Sequence, residues 1–426
     1  MSATGVSIDV TRELRAICGE EYVSEETAGT PVVKPGSAEE VATVLQFANM
    51  HGLGVVPEGG MTAQSFAAQA SIVLQTSRLA QVEHYDHADL TVGVGAGTTV
   101  AQLNAMVGAD HLLFACDPLL PERATVGGIL ASASHGPLRH GYGALRDFCI
   151  GIRFVTGEGR RAKGGGRVVK NVAGYDLMKL LIGSYGTLGV ITSASFKLFP
   201  APRQTRTFLA EFKTAKEALE FRDRVVRSPL APICLELVSP IARKMMRPEM
   251  ASDAWVICVR AAGSDAVLAR YRKELGMAIN REVAGESEVT MWRAIENFPY
   301  SAGDGTTARA GENLMRRIHI TVPPRDLLAV IEVMNRVMPS LQIDFGCIGH
   351  VGIGHLQFVA QQFNHVGTGI TSGLTDALRS EVGDKATVKM DGAANPWPIT
   401  PANLASMRAV KQALDPNNVL RGREIS

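Results

Sequence analysis

Cysteine is scarce and scattered in this chain of 426 residues. The six thiols (Cys18, Cys116, Cys149, Cys234, Cys258, Cys347) lie far apart and form no C-x-x-C pair. That excludes a zinc knuckle or an iron–sulfur cluster held by this chain alone, and reads instead as buried, reduced thiols acting as small hydrophobes. No apolar run is long enough to span a bilayer. The N-terminal stretch MSATGVSIDVTRELRAICGE carries early charges and no apolar signal core, so a cytosolic location is expected. Excess charge is missing too: the formal balance of +1 gives neither a nucleic-acid footprint nor a polybasic membrane patch. No G-x-x-x-x-G-K-[ST] occurs, which removes a P-loop. There is no internal repeat and no low-complexity tract.

What remains is an ordinary globular composition, 46% hydrophobic and 20% charged, long enough for two or three domains. Its oddity is 43 glycines, crowded into the first half. Ser37 and Glu40 form a capping box opening an amphipathic helix in which Val41, Val44, Leu45 and Ala48 share a face. GLGVVPEGG and LTVGVGAG read as strands entering glycine loops, the second followed by a helix with Thr99 as N-cap and Gln102 at the box position. FCIGIRFVT-GEG-RRAKG reads as strand, tight turn, strand. Leu177, Leu180 and Leu181 mark a short helix, GVITSASFKLF a strand, and Pro200-Ala-Pro202 a domain boundary. Beyond it, apolar runs (ICLELV, AWVICVRA, RRIHITV, LQIDF) alternate with helical stretches at 214–227, 264–278 and 325–337. That predicts an α+β unit on an antiparallel or mixed sheet. Residues 403–414 read as a last helix before a turn-rich tail.

VGVGAGTTV leads from a strand through glycines into a helix, but its spacing is G-x-G-x-G and no acidic residue follows in a convincing βαβ unit, so a Rossmann site is not expected. Five segments in fixed order are more specific: PVVKPGSAEEVATVLQFANMHGLGVVPEGGMT, VGVGAGTTVAQLN, DPLLPERATVGGILASASHG, YGALRDFCIGIRFVTGEG and KNVAGYDLMKLLIGSYGTLGVITSASFKLFP. Together they resemble the FAD-binding domain of the vanillyl-alcohol oxidase / p-cresol methylhydroxylase-type (PCMH-type) flavoproteins, over about residues 28–202. The resemblance implies an α+β protein: a two-subdomain FAD-binding domain over 1–203, an α+β substrate or cap domain over 204–400, and a C-terminal helix and tail (401–426) returning to the first.

Glycine-rich turns bind a pyrophosphate by pointing backbone N–H groups at it. Gly59, Gly60, Met61 and Thr62 are expected to form one such turn, and Thr125 through Gly127 and Gly128 another. The resemblance assigns Gly189, Val190 and Ile191 to the flavin or adenine edge through backbone groups. It assigns Pro118 and Ser132 to Gly136, with Ser134 between them, to the same channel. Tyr142 and Gly143 in the fourth segment, and Lys170 and Tyr175 in KNVAGYD, join the cofactor set. The first loop departs from the family's P-x-G-G-G-T-S: between Pro57 and Ala63, Met61 replaces a glycine and Ala63 a serine. No R-x-x-G-H histidine is present for covalent attachment, so non-covalent FAD is implied.

GGRVVKNVAGYDLMKLLIGSYGTLGVIT looks like the FAD-binding subunit of bacterial glycolate oxidase complexes, with Tyr185 where the D-2-hydroxy-acid dehydrogenases carry a glutamate. The resemblance implies oxidation of a 2-hydroxy acid such as glycolate. Partners would be a second flavoprotein subunit and an iron–sulfur subunit, with the inner membrane face reached only through them. Alternation in RRIHITV puts Arg317, His319 and Thr321 on one strand face, making Arg317 a candidate carboxylate clamp. GHVGIGHLQ, residues 349–357, partly matches the G-H-x-G-D-G-N-x-H motif, in which two histidines of those dehydrogenases hold a divalent metal. Here Ile353, His355 and Gln357 replace the acidic residue, the asparagine and the second histidine. No metal is expected; His350 becomes the candidate polar group facing the flavin, and His355 a substitute ligand or base. Two other readings stay open: a self-sufficient D-2-hydroxy-acid dehydrogenase, and a structural or electron-relay subunit.

Overall fold

The computed structural model describes residues 9–26, 29–62, 70–166, 176–246, 252–298, 317–340, 344–360, 369–390 and 403–422. Among them no helix is long and apolar enough to cross a membrane. All six cysteines are buried and unbridged; burial pushes the thiols of Cys18, Cys149 and Cys258 up to about 12.

The described residues of the first half form two main sheets and a two-stranded antiparallel pair, Leu112–Leu113 with Phe199–Pro200. One main sheet has the spatial order Val23–Glu25, Pro31–Val33, Ile72–Gln75, Val55–Glu58, with its last three strands parallel. Helix Ala38–Met50 makes the crossover; Val41, Val44, Leu45 and Ala48 are its buried face. Ser37 Oγ accepts the Glu40 N–H as its box requires, but the Glu40 carboxylate takes the N–H of Gly36 (2.8 Å) rather than that of Ser37. At Thr99 both bonds of the box with Gln102 are made. The second sheet is antiparallel throughout, in the order Val82–Asp86, Thr91–Gly95, Val190–Lys197, Cys149–Val155, Arg161–Gly165. Val155 and Val190 reach into the first sheet's core and join the two layers.

The second half is one eight-stranded sheet ordered Arg281–Val283, Thr205–Phe212, Trp255–Ala262, Cys234–Val238, Phe345–His350, His355–Ala360, Arg317–Thr321, Thr387–Met390. Every neighbouring pair is antiparallel. Alternation sorts its residues. Leu235, Leu237, Ile318, Ile320, Leu356 and Phe358 face a core built with helices Ala215–Arg227, Asp265–Leu275, Leu327–Ser340 and Gly369–Val382. Cys234, Val238, Val256 and Cys258 on the other face pack with Trp292 of helix Gly285–Glu296 and with Leu138 from the first half. The LQIDF run is described only from Asp344, and the strand begins at Phe345.

GHVGIGH is the turn of a hairpin: its histidines end one strand and begin the next, paired as the last rung. The turn is held from below. Arg222, 3% exposed on helix Ala215–Arg227, donates Nη1 to the Val351 carbonyl (2.8 Å) and Nη2 to that of Pro324 (3.1 Å). From above, Gly352 lies where a Cβ would meet the His140 ring at 2.2 Å, so only glycine lets this turn seat on the first half.

Removing the guanidinium strands two buried carbonyls, each worth about 1–3 kcal/mol. Arg222→Leu is therefore expected to lower thermal stability clearly, and Arg222→Lys, which reaches one carbonyl, by roughly half as much. Melting of the two variants beside the parent checks this; a parent-like Arg222→Leu refutes the clamp.

Candidate active site

Two clefts meet at Thr62, Ser132 and Tyr185, residues that line both. The first, of about 920 Å³, runs between the loop after strand Val55–Glu58, the helix Val126–Ser132, Tyr185-Gly186, the start of strand Val190–Lys197, and Arg421-Gly422. Its glycines serve loop packing more directly than ligand approach. A Cβ on Gly60 would meet the Arg123 carbonyl oxygen at 1.6 Å, and one on Gly59 would meet Thr125 Oγ1 at 2.3 Å. Met61 keeps a left-handed φ of 56°, a conformation costing about 1 kcal/mol for a non-glycine residue.

The second turn corrects an expectation. Three of its four N–H groups are already used: Val126 donates to Thr98 O (2.8 Å), Gly127 to Ala96 O (2.7 Å) and Gly128 to Thr125 Oγ1 (3.2 Å). Thr125 is thus a helix cap, and its turn is a wall rather than a phosphate cradle. The first turn differs, since the N–H groups of Gly60 and Met61 have no intrachain partner among the described residues. Beside them Glu58 Oε2 is buried without a hydrogen bond, and burial raises its carboxyl above the usual range. Free amide donors for a phosphate, an acceptor for a ribose hydroxyl, and a wall where Val190 turns its side chain into the core fit FAD.

The remaining expected cofactor residues divide. Pro57, Gly189 and Ile191 line the first cleft; Ser134 and Gly136 line the second. Pro118 is buried outside both linings, Tyr142 packs edge-on to Phe199 (5.0 Å), and Gly143 at φ 87° ends the short helix Arg139–Tyr142. Ala63, Lys170 and Tyr175 lie outside the described residues.

The second cleft, of about 1360 Å³, has the cap sheet as its floor. Sheet register lines up a row of direct cross-strand partners over five strands: Glu236, His350, His355, Thr321, Thr387. Beside it runs Gln357, His319, Lys389. Within the main row both carboxylate oxygens of Glu236 lie 2.8 Å from His350 Nδ1, and Thr321 Oγ1 lies 2.9 Å from His355 Nδ1. The His350 and His355 rings stack at 5.4 Å and 15°. His135, from the first half, stands edge-on to both at 5.2 and 4.9 Å. Arg317 and His319 line the same cleft from their shared strand face. Gln357 donates to the Phe298 carbonyl (3.1 Å). Among the described residues no group of three histidines, cysteines or acids has the geometry of a metal site.

Electrostatics distinguish the imidazoles. Burial first, then the charges of neighbouring histidines and Arg139, push His135 and His355 well below the ordinary histidine range, so both are neutral. Glu236 is fully buried; burial raises its carboxyl, while the facing His350 opposes that through its charge and hydrogen bond. Sequence reasoning does not single out Glu236, His319, Arg139 or Lys389 for a role, and places His135 only within the Ser132–Gly136 channel. The one legible signal is a lone glutamate inside the apolar run ICLELV.

A neutral buried imidazole has a sign in acid. Below about pH 6.5 the unfolded chain takes up protons that the folded one refuses, so stability falls by about 1.4 kcal/mol per pH unit for each such histidine. His355→Gln should therefore melt with a shallower pH dependence between about pH 6.5 and 5 than the parent. Equal slopes in the two proteins contradict the neutral assignment.

Comparison with known proteins agrees with this architecture. Residues 30–165 match the model of the FAD binding domain, and residues 201–365 with 393–423 match the C-terminal domain of FAD linked oxidases. A D-lactate dehydrogenase of Archaeoglobus fulgidus is 36% identical over 53% of this chain, which spans about half (51%) of that relative's length. Glycolate oxidase subunit GlcD of Bacillus subtilis is 25% identical over 97% of this chain and 96% of its own. The GlcE subunit of Escherichia coli glycolate oxidase is 36% identical over 36% of this chain and 44% of its own. In fold, the chain is similar to p-cresol methylhydroxylase with substrate bound (TM-score 0.75, 15% identity, 96% and 95% of the two chains). It is also similar to alkyldihydroxyacetonephosphate synthase (TM-score 0.72, 16% identity, 100% and 87%). The cleft with free amide donors and the two domain matches, which together take in most of the chain, make it a member of the FAD-linked oxidases: an FAD-binding domain of the PCMH type followed by their C-terminal domain.

Proposed function

We propose that this chain oxidises a small 2-hydroxy acid, of the glycolate or D-lactate kind, in the second cleft. It would act as the FAD-binding subunit of a multi-subunit oxidase, passing electrons to a partner iron–sulfur subunit. The observation that carries the chemistry is the Glu236–His350 pair on the floor of a cleft that also holds Arg317 and joins the FAD cleft at Thr62, Ser132 and Tyr185. Similarity to GlcD and GlcE supports the subunit role.

Bound FAD supplies the two-electron acceptor for the hydride leaving the α-carbon. Arg317 offers a planar guanidinium to the substrate carboxylate, which fixes the hydroxyl-bearing carbon. Glu236 accepts the Nδ1–H of His350, which sets the tautomer and leaves Nε2 as the nitrogen that takes the hydroxyl proton. The buried carboxylate then stabilises the imidazolium. His135 and His355, held neutral, do not compete for that proton, and with Gln357 they shape the cleft.

A second reading, a self-sufficient D-2-hydroxy-acid dehydrogenase, draws on the similarity to the D-lactate dehydrogenase of Archaeoglobus fulgidus and on the base and clamp residing in one chain. Purified chain, mixed anaerobically with glycolate or D-lactate, separates the two. Bleaching of the flavin by the chain alone supports oxidation in this cleft, and turnover with a soluble dye and no partner selects the second reading. A flavin that stays oxidised with the chain alone and with its co-purifying partners removes the proposal.

His350→Ala should lose about 10²–10⁴-fold in turnover, the usual worth of a general base, while keeping its flavin content. Glu236→Gln, which keeps the shape but removes the charge, should lose less. Both are read from the reductive half-reaction together with flavin per chain, and the flavin should be released on denaturation as a non-covalent cofactor is. Parent-like turnover in His350→Ala refutes its role as base.

A further inference from the structure

The FAD cleft contains a feature that neither loop motif supplies. Residues 419–421 lie alongside the first sheet: Val55 donates to the Val419 carbonyl and Arg421 to the Val55 carbonyl, each at 2.7 Å, with Leu420 as the parallel bridge partner of Val55. This added edge runs beside the strand that leads into Pro57–Thr62. A buried lock holds it. Asp415, 2% exposed, accepts the N–H of Val419 on Oδ1 and that of Leu420 on Oδ2, both at 2.8 Å. Lys411 pairs with Asp415 and also donates to the carbonyls of Thr187 and Leu420, both at 2.9 Å.

Beyond the lock, Arg421 enters the cleft lining. Its aliphatic stem crosses Gly54, where a Cβ would meet Arg421 Cγ at 2.7 Å. Gly157 makes similar room for Asp415, since a Cβ there would meet Oδ1 at 2.1 Å. Two glycines far apart in sequence thus accommodate one tail. Among the described residues lining this cleft Arg421 is the only basic side chain, and its guanidinium makes no hydrogen bond or ion pair among those residues.

We propose that Arg421 is the cationic partner of the FAD diphosphate, held in the cleft by the Lys411–Asp415 lock. A dianionic diphosphate needs more than the amides of Gly60 and Met61, and an uncommitted guanidinium donates two parallel bonds to phosphate oxygens. Glu58 is the opposing acid, and it suits the ribose rather than the phosphates. The proposal concerns the cofactor alone and is independent of the substrate.

Binding of FAD, ADP and riboflavin to apoprotein of the parent, Arg421→Met and Arg421→Lys, followed by fluorescence and calorimetry, tests it. In Arg421→Met the affinity for FAD and ADP should fall about tenfold or more, as expected for loss of a charge-assisted contact. Riboflavin, which has no phosphate, should bind as it does to the parent. Arg421→Lys should recover part of the loss, and parent FAD affinity should fall with salt more steeply than that of Arg421→Met. The apoprotein melts of all three show whether the tail remains seated. FAD affinity within about threefold of the parent in Arg421→Met overturns the proposal. So does a riboflavin loss as large as that for FAD, which assigns Arg421 a purely architectural role. If Arg421→Met does not fold, Arg421→Lys and the parent's salt dependence decide: a parent affinity insensitive to salt overturns it.

Discussion

The segment from Asp117 to Tyr142 is hydrogen-bonded into the cap half at two places. Leu120 donates to Asn297 Oδ1 (3.0 Å) and Gly141 to the Ile233 carbonyl (3.1 Å). That seam brings His135 edge-on to His350 and His355, buries Leu138 beside Trp292 and seats the hairpin turn on His140. The second cleft has one wall from each half of the chain, so its geometry depends on this seam as well as on either sheet. A ligand that spans both walls will tighten the seam by its own binding energy.

Within the cleft, charge is allotted by position in the sheet. One buried carboxylate faces one imidazole, while the two other rings nearest it are kept neutral by burial and by their neighbours. Cross-strand register does this at no cost in loops: each member of the row occupies a direct pairing position, so strand pairing sets their spacing. A one-residue slip in either histidine strand would turn the polar row into the helix-packed core. The Arg222 clamp on the turn between those strands guards against that slip.

Local features are legible in the sequence where one physical rule dominates. The Ser37 and Thr99 caps, the buried face of helix Ala38–Met50 and the shared face of Arg317 and His319 follow from spacing alone. The glycine clusters indicate the cofactor but not their own reason, because Gly59 and Gly60 answer to atoms of Arg123 and Thr125 more than sixty residues away. Glu236 and His350 are 114 positions apart and meet only through strand order, which no local pattern encodes. His135 reads from sequence as one channel residue among several; its contact with two cap-domain histidines requires the seam. Arg421 lies in a turn-rich tail where nothing local marks a ligand.

The pairing of Val55 with Leu420 also bears on how the molecule is assembled. The strand that carries the first FAD loop is among the earliest made, yet its outer neighbour emerges several hundred residues later. Until it does, a nascent chain lacks both the edge beside the nucleotide cleft and two residues, Val419 and Leu420, of the first sheet's core. Because such distant contacts form late, cofactor capture becomes a checkpoint on synthesis reaching the tail, and a chain interrupted before residue 419 would be folded in part but would hold its flavin poorly.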